Sequence, residues 1–323
     1  MDKLKGKTIL VTGNVGFIGF HLSKKLLENN INVIGLDNIN DYYDPQIKED
    51  RHKILSQFSN YKFYKGNLED LDFVKKVLDD NKIDKICNLA AQAGVRYSLT
   101  HPHTYIQSNI VGFSNLIDEA KNHGIKDFVY ASSSSVYGKN KKSPFSIEDK
   151  VDHPISLYAA SKKANELIAH TYHHLFGLNC TGLRFFTVYG PYGRPDMALF
   201  LFTKAILEDK PIKVFNHGNM ERDFTYIDDI VSGIIASLEK SYPYEIFNLG
   251  NNKPIKLNYF IELIEKELGL KAKKEMLDMQ LGDVASTCAD IDSSKEKLNY
   301  SPKTSIEDGI KKFISWYKEY YKI

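Results

Sequence analysis

The sequence predicts an α/β protein: a Rossmann-type doubly wound parallel sheet with a smaller mixed α/β C-terminal substrate domain. Three observations carry that expectation. Short β-branched runs alternate with longer amphipathic stretches through the first half, a glycine-rich turn follows the first of those runs, and the rhythm loosens past about Gly182. Such alternation is the pattern of a parallel sheet covered by helices on both faces. In order, Thr8–Thr12, Asn32–Leu36, Lys62–Tyr64, Lys85–Leu89 and Phe128–Ala131 read as strands. Between them Phe17–Asn29, Asp70–Asp79 and Thr104–Asn122 carry helical spacing, as in Leu22, Leu26 and Leu27. Beyond Gly182, Pro191, Pro195, Pro211 and Pro243 punctuate the chain, with helices expected at Met197–Glu208 and Tyr259–Leu268. The last helix, Ile306 to Tyr321, opens on a cap-like Ser305-x-x-Asp308 and stripes Ile306, Ile310, Phe313 and Tyr317 along one face.

Composition narrows the partners. At 323 residues there is room for one large or two modest domains. The 43 basic residues nearly balance the 41 acidic ones, and Lys-rich stretches such as Lys271–Lys274 are short, so no field suited to nucleic acid stands out. A small-molecule partner is expected instead. Met1–Leu4 leads almost at once into Thr8–Thr12, too short an apolar run for a signal peptide or a membrane span. Cys87, Cys180 and Cys288 are odd in number and widely spaced, which fits a reducing cytoplasm better than a disulfide framework. His170, His173 and His174 share a helix face without an accompanying Cys or carboxylate motif, so no metal site is expected.

The glycine turn is Gly13-Asn14-Val15-Gly16-Phe17-Ile18-Gly19, set between a strand and a helix. That context lets backbone amides and a helix N-terminus approach a pyrophosphate, which marks Gly13, Gly16, Phe17, Ile18 and Gly19 as cofactor-binding. Asp37 follows the next strand, 24 positions beyond Gly13, where a carboxylate can bond the adenine ribose hydroxyls and repel a 2′-phosphate. NAD is therefore favoured over NADP. The expected division is a dinucleotide domain over residues 1–181 and a second domain over 182–323, with a stretch near 224–250 returning to the first.

Tyr158-Ala159-Ala160-Ser161-Lys162 opens a helical pattern, and its i, i+4 spacing puts phenol and ammonium on one face. A cation beside a phenol favours phenolate and so lowers the Tyr pKa toward a value useful to a base. Ser133 lies at the end of the strand at Phe128–Ala131, where open α/β sheets hold their ligands, and could bond a reacting sugar oxygen.

Taken together, Gly13–Gly19, Tyr158 with Lys162, and Ser133 resemble the extended short-chain dehydrogenase/reductases, the group of sugar-nucleotide epimerases, dehydratases and decarboxylases. More narrowly, the strings Asp37–Asp44, Ala90–Ser98, Ala131–Gly138 and Leu183–Ala198 resemble the UDP-glucuronate 4-epimerases, a match that weakens after about Gly269. The resemblance implies an isomerase with tightly held NAD that interconverts UDP-glucuronate and UDP-galacturonate for polysaccharide biosynthesis, working as a homodimer. It implies that Asn38, Asn67, Leu68, Leu89, Ala90, Ala91, Gln92 and Asn109 join Tyr158 and Lys162 around the cofactor. Asn67 stands where relatives usually carry an Asp that touches the adenine, and Asn14-Val15 stands where small residues are common. The dimer would form through Thr104–Asn122 and Ser156–Phe176.

All members of that group begin by oxidising the sugar at C4. Related dehydratases carry an Asp-Glu pair after the hydroxyl residue, and decarboxylases a Glu before Val-Tyr-Gly; here those places hold Ser134 and Ser135. Epimerisation needs neither acid. A uronate oxidised at C4 is a β-keto acid, so Ser134, Ser135, Thr187 and Arg194 are expected to restrain its carboxylate, Arg194 by a two-pronged contact. Alternatively the serines satisfy loop backbone and Arg194 pairs with a surface acid such as Asp196. For the nucleotide, Lys213, Val214 and Phe215 resemble a uridine-binding stretch and Arg222 the arginine that bonds the diphosphate, with Asp283 also assigned to substrate. Phe215 could instead be core, and Arg96 could line the sugar pocket or cap its loop.

Overall fold

The structure, a computed structural model, describes all 323 residues. Twelve strands occur in chain order: β1 (Thr8–Thr12), β2 (Asn32–Asp37), β3 (Tyr61–Lys65), β4 (Lys85–Asn88), β5 (Asp127–Ser133), β6 (Asn179–Phe185), β7 (Thr187–Tyr189), β8 (Ile212–Phe215), β9 (Glu221–Tyr226), β10 (Tyr244–Leu249), β11 (Pro254–Lys256) and β12 (Lys274–Leu277). Seven of them form one parallel sheet in the order β10-β6-β5-β4-β1-β2-β3. In β1, Ile9, Leu10 and Val11 are all fully buried, as a strand covered on both faces must be. Successive side chains serve opposite faces. Ile9 and Val11 join the core beneath helices Phe17–Glu28 and Ile227–Lys240, whereas Leu10 joins that beneath Leu71–Asp79 and Gly112–Asn122. That is the doubly wound arrangement.

The remaining strands build a smaller layer: β7 and β11 flank β9, and β8 pairs with β12. The C-terminal helix Ile306–Tyr321 starts as its cap signal predicts, with Ser305 Oγ accepting from the Asp308 amide at 3.1 Å. The expected division at residue 181 passes through the middle of β6, and both β6 and β10 belong to the parallel sheet.

One expected helix is present and unbroken but changes its winding. Thr104–Asn122 resolves into Pro102–Tyr105, a π-helical segment Ile106–Val111, and Gly112–Asn122. The wider turn rotates Asn109 into the protein, and a Cβ on Gly112 would come 2.8 Å from that of Leu68. Such bulges recur where a helix must aim a side chain at a functional site. Helix Gln46–Leu55 was not foreseen. Its pattern is mostly polar, yet it buries Lys48 and Arg51 along with Ile47 and Leu55.

Candidate active site

A cleft of about 1170 Å³ runs over the carboxyl ends of β1, β4 and β5 and on between the two layers. Single small-ligand sites occupy about 300–1,000 Å³, so this one suits two long ligands meeting end to end. The glycine turn builds its first half. Gly13 has φ of +66°, and an added Cβ would stand 2.8 Å from the Ala90 nitrogen. At Gly19 an added Cβ would fall 2.1 Å from the Gly13 carbonyl oxygen, so the helix seats on the turn only because glycine is there. Gly16 caps that helix without a side chain, leaving the amides of Phe17, Ile18 and Gly19 with no intrahelical acceptor. Those donors and the positive helix end suit a pyrophosphate.

Asp37 ends β2, with Oδ1 accepting from the Ile39 amide at 2.9 Å. Burial pushes its carboxyl up, while backbone bonds and the charges of Lys48 and Arg51 oppose that. Asn38 donates to Asn67 Oδ1 at 2.8 Å, and Leu68, Leu89, Ala90, Ala91 and Gln92 line the wall between them and the catalytic helix. A cradle that only glycine leaves, free first-turn donors and a carboxylate at a strand end together fit NAD. Asn109 departs from its expected cofactor contact. It is buried behind the wall: Oδ1 accepts from the Gln92 amide at 2.7 Å, and Nδ2 donates to the Gln92 carbonyl and to Ser161 Oγ, both at 3.0 Å. Ser161 in turn donates to the Tyr158 carbonyl at 2.8 Å. Asn109 thus positions the cofactor loop against the helix that carries Tyr158.

That helix, Leu157–Phe176, is capped by Ser156, whose Oγ accepts from the Ala159 amide at 3.1 Å, and is closed by left-handed Gly177. Tyr158, Lys162 and Ser133 all reach the cleft. The expected lowering of the Tyr158 pKa by Lys162 is not what the structure shows. Burial raises the phenol, and what opposes this is the Ser133 hydroxyl and the charge of Arg194. The Lys162 ammonium sits instead on the Ala131 carbonyl at 2.9 Å, and burial brings its pKa down to about 8. A buried ammonium takes the nearest strong acceptor, and here that is strand backbone. Ser133 is oriented by its neighbour: its oxygen accepts from the Ser135 amide at 3.2 Å and the Ser135 hydroxyl at 2.9 Å. With both lone pairs engaged, Ser133 has only its proton left to offer.

Beside this centre lie Ser134, Ser135, Thr187 and Arg194. Arg194 holds Asp196 in a two-pronged pair, Nε to Oδ1 at 3.0 Å and Nη2 to Oδ2 at 2.6 Å. The pairing anticipated as an alternative is therefore present, but Asp196 belongs to the cleft wall and not to the open surface. At the far end Arg96, Lys213 and Arg222 face the cleft with Asp283 as the neighbouring carboxylate, 3.6 Å from Arg96. Three cations against one acid favour a diphosphate. Phe215 lies under the Arg96 guanidinium, 5.3 Å from the ring centre, on the cleft wall. Val214 does not share that wall. It is fully buried, because alternation along β8 turns it into the core, so only its backbone could meet a ligand.

Sequence reasoning missed several groups. Tyr42 and Lys48 line the cleft, and Gln280 turns a buried, unpartnered Oε1 within its wall. Arg51 is fully buried and ties the glycine turn to the Arg194 loop, donating to the Val15 carbonyl at 2.8 Å and the Tyr192 carbonyl at 2.7 Å. No local pattern marks Tyr42 or Arg51, since Asp196, Val15 and Tyr192, which they bond, are remote in the chain. The three histidines have ordinary surroundings: His173 meets the Leu178 carbonyl at 2.9 Å, and His170 packs edge-on to Tyr244.

A glycine cradle on a parallel sheet, a Tyr-x-x-x-Lys helix beside a strand-end serine, and a second ligand arm in a smaller layer define an extended short-chain dehydrogenase/reductase. The sequence profile of the NAD dependent epimerase/dehydratase family matches residues 9–250, and the chain belongs to that family. It is 53% identical over 332 residues to "Protein CapI" of Staphylococcus aureus, covering 97% of this chain and 99% of that one. With "UDP-glucuronate 4-epimerase 4" of Arabidopsis thaliana it shares 48% identity over 334 residues, 98% of this chain and 76% of the plant protein. The UDP-glucuronic acid 4-epimerase of Bacillus cereus, solved with UDP-glucuronic acid and NAD, superposes with a TM-score of 0.91 at 37% identity, over 97% of this chain and all of the other.

Proposed function

We propose that this chain catalyses the reversible C4 epimerisation of UDP-glucuronate to UDP-galacturonate through a transient 4-keto sugar, with NAD held in the glycine cradle. The observation that carries this reading is a proton-transfer centre without a second acid: Tyr158 and Ser133 meet at the cleft floor, and Ser134 and Ser135 occupy the places where an eliminating or decarboxylating relative would need a carboxyl group. The Arabidopsis and Bacillus relatives bear this activity in their names.

When bound, NAD supplies the hydride acceptor for C4 and afterwards the same hydride for return. The rest falls to side chains. Tyr158 takes the proton from the C4 hydroxyl as a base and gives it back to the new alkoxide as an acid. Ser133 donates to the oxygen that carries the charge, which its fixed orientation prepares it to do. Arg96, Lys213 and Arg222 hold the diphosphate and uridine while the sugar turns over, so that hydride reaches the opposite face. Ser134, Thr187 and Arg194 hold the carboxylate near the ketone plane, where loss of carbon dioxide is slow, while the Ser135 hydroxyl, expected among them, spends its one proton on Ser133. Residues 186–323 act as the UDP-sugar-binding part, with 227–249 supporting the dinucleotide sheet.

Incubation with UDP-glucuronate, followed by NMR of the sugar, tests the reading. A galacturonate product is expected. Pentose with carbon dioxide would point to a decarboxylase, and turnover of UDP-glucose alone to a neutral-hexose epimerase; no change in any of these sugars would leave a non-catalytic NAD-binding scaffold. No helix is long and apolar enough to cross a membrane. Three buried, unpaired cysteines suit a reducing cytoplasm. Leu167 and Leu175, about two turns apart on one side of the catalytic helix, leave apolar side chains open there, which supports pairing with a second copy; sedimentation showing only monomer would refute it.

A further inference from the structure

Arg194 cannot act on a substrate carboxylate independently of the groups that already hold it. Asp196 takes its Nε and one Nη2 hydrogen through two separate oxygens, which fixes the guanidinium plane. Both Nη1 hydrogens are left without a protein partner in a side chain that lines the cleft. Asp196 is in turn held by Tyr42, whose hydroxyl donates to Oδ2 at 3.0 Å. Tyr42 has its own seat. Its ring packs edge-on to Tyr97 at 4.8 Å, the Arg194 guanidinium lies 5.9 Å from its centre, and a Cβ on Gly94 would come 2.8 Å from its hydroxyl. Gly94 has φ of +106°, so the loop carrying it needs glycine twice over, for its backbone and for room beside Tyr42. The aromatic seat reaches the reaction centre as well: Tyr105 donates to the Gly94 carbonyl and packs edge-on to Tyr158 at 6.1 Å.

We infer that Asp196, braced by Tyr42, is a positioning residue that aims the free edge of Arg194 at the uronate carboxylate and thereby sets how much of the 4-keto sugar is lost as carbon dioxide. This rests on the proposed uronate epimerisation. The competing loss breaks the C5–C6 bond; its electron pair passes into the C4 carbonyl, C5 takes up a solvent proton, carbon dioxide leaves, and return of hydride to C4 yields a pentose. Charge and hydrogens balance without another reactant. Rotation of the carboxylate out of the ketone plane permits that cleavage, and an arginine anchored along one edge resists rotation where a swivelling one does not. Asp196 also partly neutralises Arg194. The cation then steers a carboxylate by directed hydrogen bonds more than by raw charge. The ion pair keeps Asp196 ionised despite its burial, and Tyr42 stays a neutral donor because burial and Asp196 raise its pKa to about 12.

The test uses full-length enzyme with its bound NAD, UDP-glucuronate as substrate, and NMR with carbon dioxide trapping to divide the products. Asp196→Asn is expected to raise the fraction leaving as pentose at least tenfold, and Tyr42→Phe to move it the same way by a smaller factor. Asp196→Glu should restore the wild-type ratio in part. Galacturonate formation in these variants falls in kcat more than in KM, because binding through the diphosphate is untouched. Arg194→Ala separates the two levels of the argument. If Arg194→Ala shifts the product ratio while Asp196→Asn and Tyr42→Phe do not, the brace is refuted and the uronate reading stands; if Arg194→Ala changes neither ratio nor KM, the assignment of Arg194 falls and the brace with it. Should Asp196→Asn fail to fold, Tyr42→Phe decides, since it removes one hydroxyl and leaves the ion pair intact.

Discussion

Lys162 gives the sharpest test, because the structure sets its catalytic use against its cost to stability. Its ammonium is buried and its pKa lies at about 8, against 10.5 for an exposed lysine. That displacement corresponds to about 3 kcal/mol of destabilisation of the charged folded form. The bond to the Ala131 carbonyl returns about 1–2 kcal/mol. Lys162→Met removes both and keeps most of the volume, so at pH 7 the variant is expected to be more stable than wild type by about 1–2 kcal/mol, a few degrees in Tm. The pH dependence carries the sign. Below about 8 both folded and unfolded chains hold the proton and the penalty is fully present. Between about 8 and 10.5 the folded chain releases it first, the unfolded chain binds more protons, and wild-type stability rises relative to the variant. Urea melts of both proteins, freed of cofactor, at pH 7 and pH 10 measure this, alongside an assay in which the variant loses turnover. A variant less stable than wild type by the same amount at both pH values would refute the reasoning.

Tyr158→Phe removes the only group placed to carry the C4 proton, so kcat should fall about 10²–10⁴-fold with KM changed only a few-fold; rapid-quench turnover with retained NAD absorbance checks it, and near-normal turnover contradicts the mechanism. Gly19→Ala puts a methyl group 2.1 Å from the Gly13 carbonyl, so the variant should purify without NAD or fail to accumulate, and a cofactor content equal to wild type would overturn the cradle. Asp223 is fully buried and accepts from the amides of Asn251 at 2.7 Å, Asn252 at 3.0 Å and Ala289 at 2.8 Å. Asp223→Ala strands three donors and should cost about 3 kcal/mol or more in urea unfolding; a loss below about 1 kcal/mol would show that the loops can satisfy them otherwise.

The parallel sheet was legible because its signals are local. β1 to β5 announce themselves as short apolar runs, and the glycine turn and the Ser305 cap act within a few residues of where they are read. What escaped depends on distance. Helix Gln46–Leu55 carries few apolar residues because its inward face satisfies backbone carbonyls of Val15, Tyr192 and Gly193 through Arg51, and nothing near position 51 encodes them. The π-helical turn at Ile106–Val111 is likewise invisible to a 3.6-residue period. Its cause is the demand that Asn109 reach both Gln92 and Ser161. The division at residue 181 followed a change in rhythm, but β6 completes a sheet whose other neighbour, β10, arrives more than sixty residues later.

The reacting groups and the groups that aim them separate along the same line. Tyr158, Lys162 and Ser133 could be named from spacing because one helix and one strand end present them. Their electrostatics could not, since the expected help from Lys162 assumed that two groups on one helix face must act on each other. In the fold a closer backbone acceptor wins Lys162, and the phenol depends on Ser133 and Arg194. Arg194 is itself governed by Asp196 and Tyr42, the latter 152 positions earlier in the chain. Chemistry at the sugar is therefore set by one helix, one strand end and two loops that meet only over the carboxyl ends of the strands, where an open sheet leaves a crevice. This is also why substitutions that change the product, as distinct from the rate, are expected in the brace and not at the base: Tyr158 acts on the C4 proton in every reaction of this kind, whereas the brace, with Ser134 and Thr187 beside Arg194, limits what the uronate carboxylate is free to do.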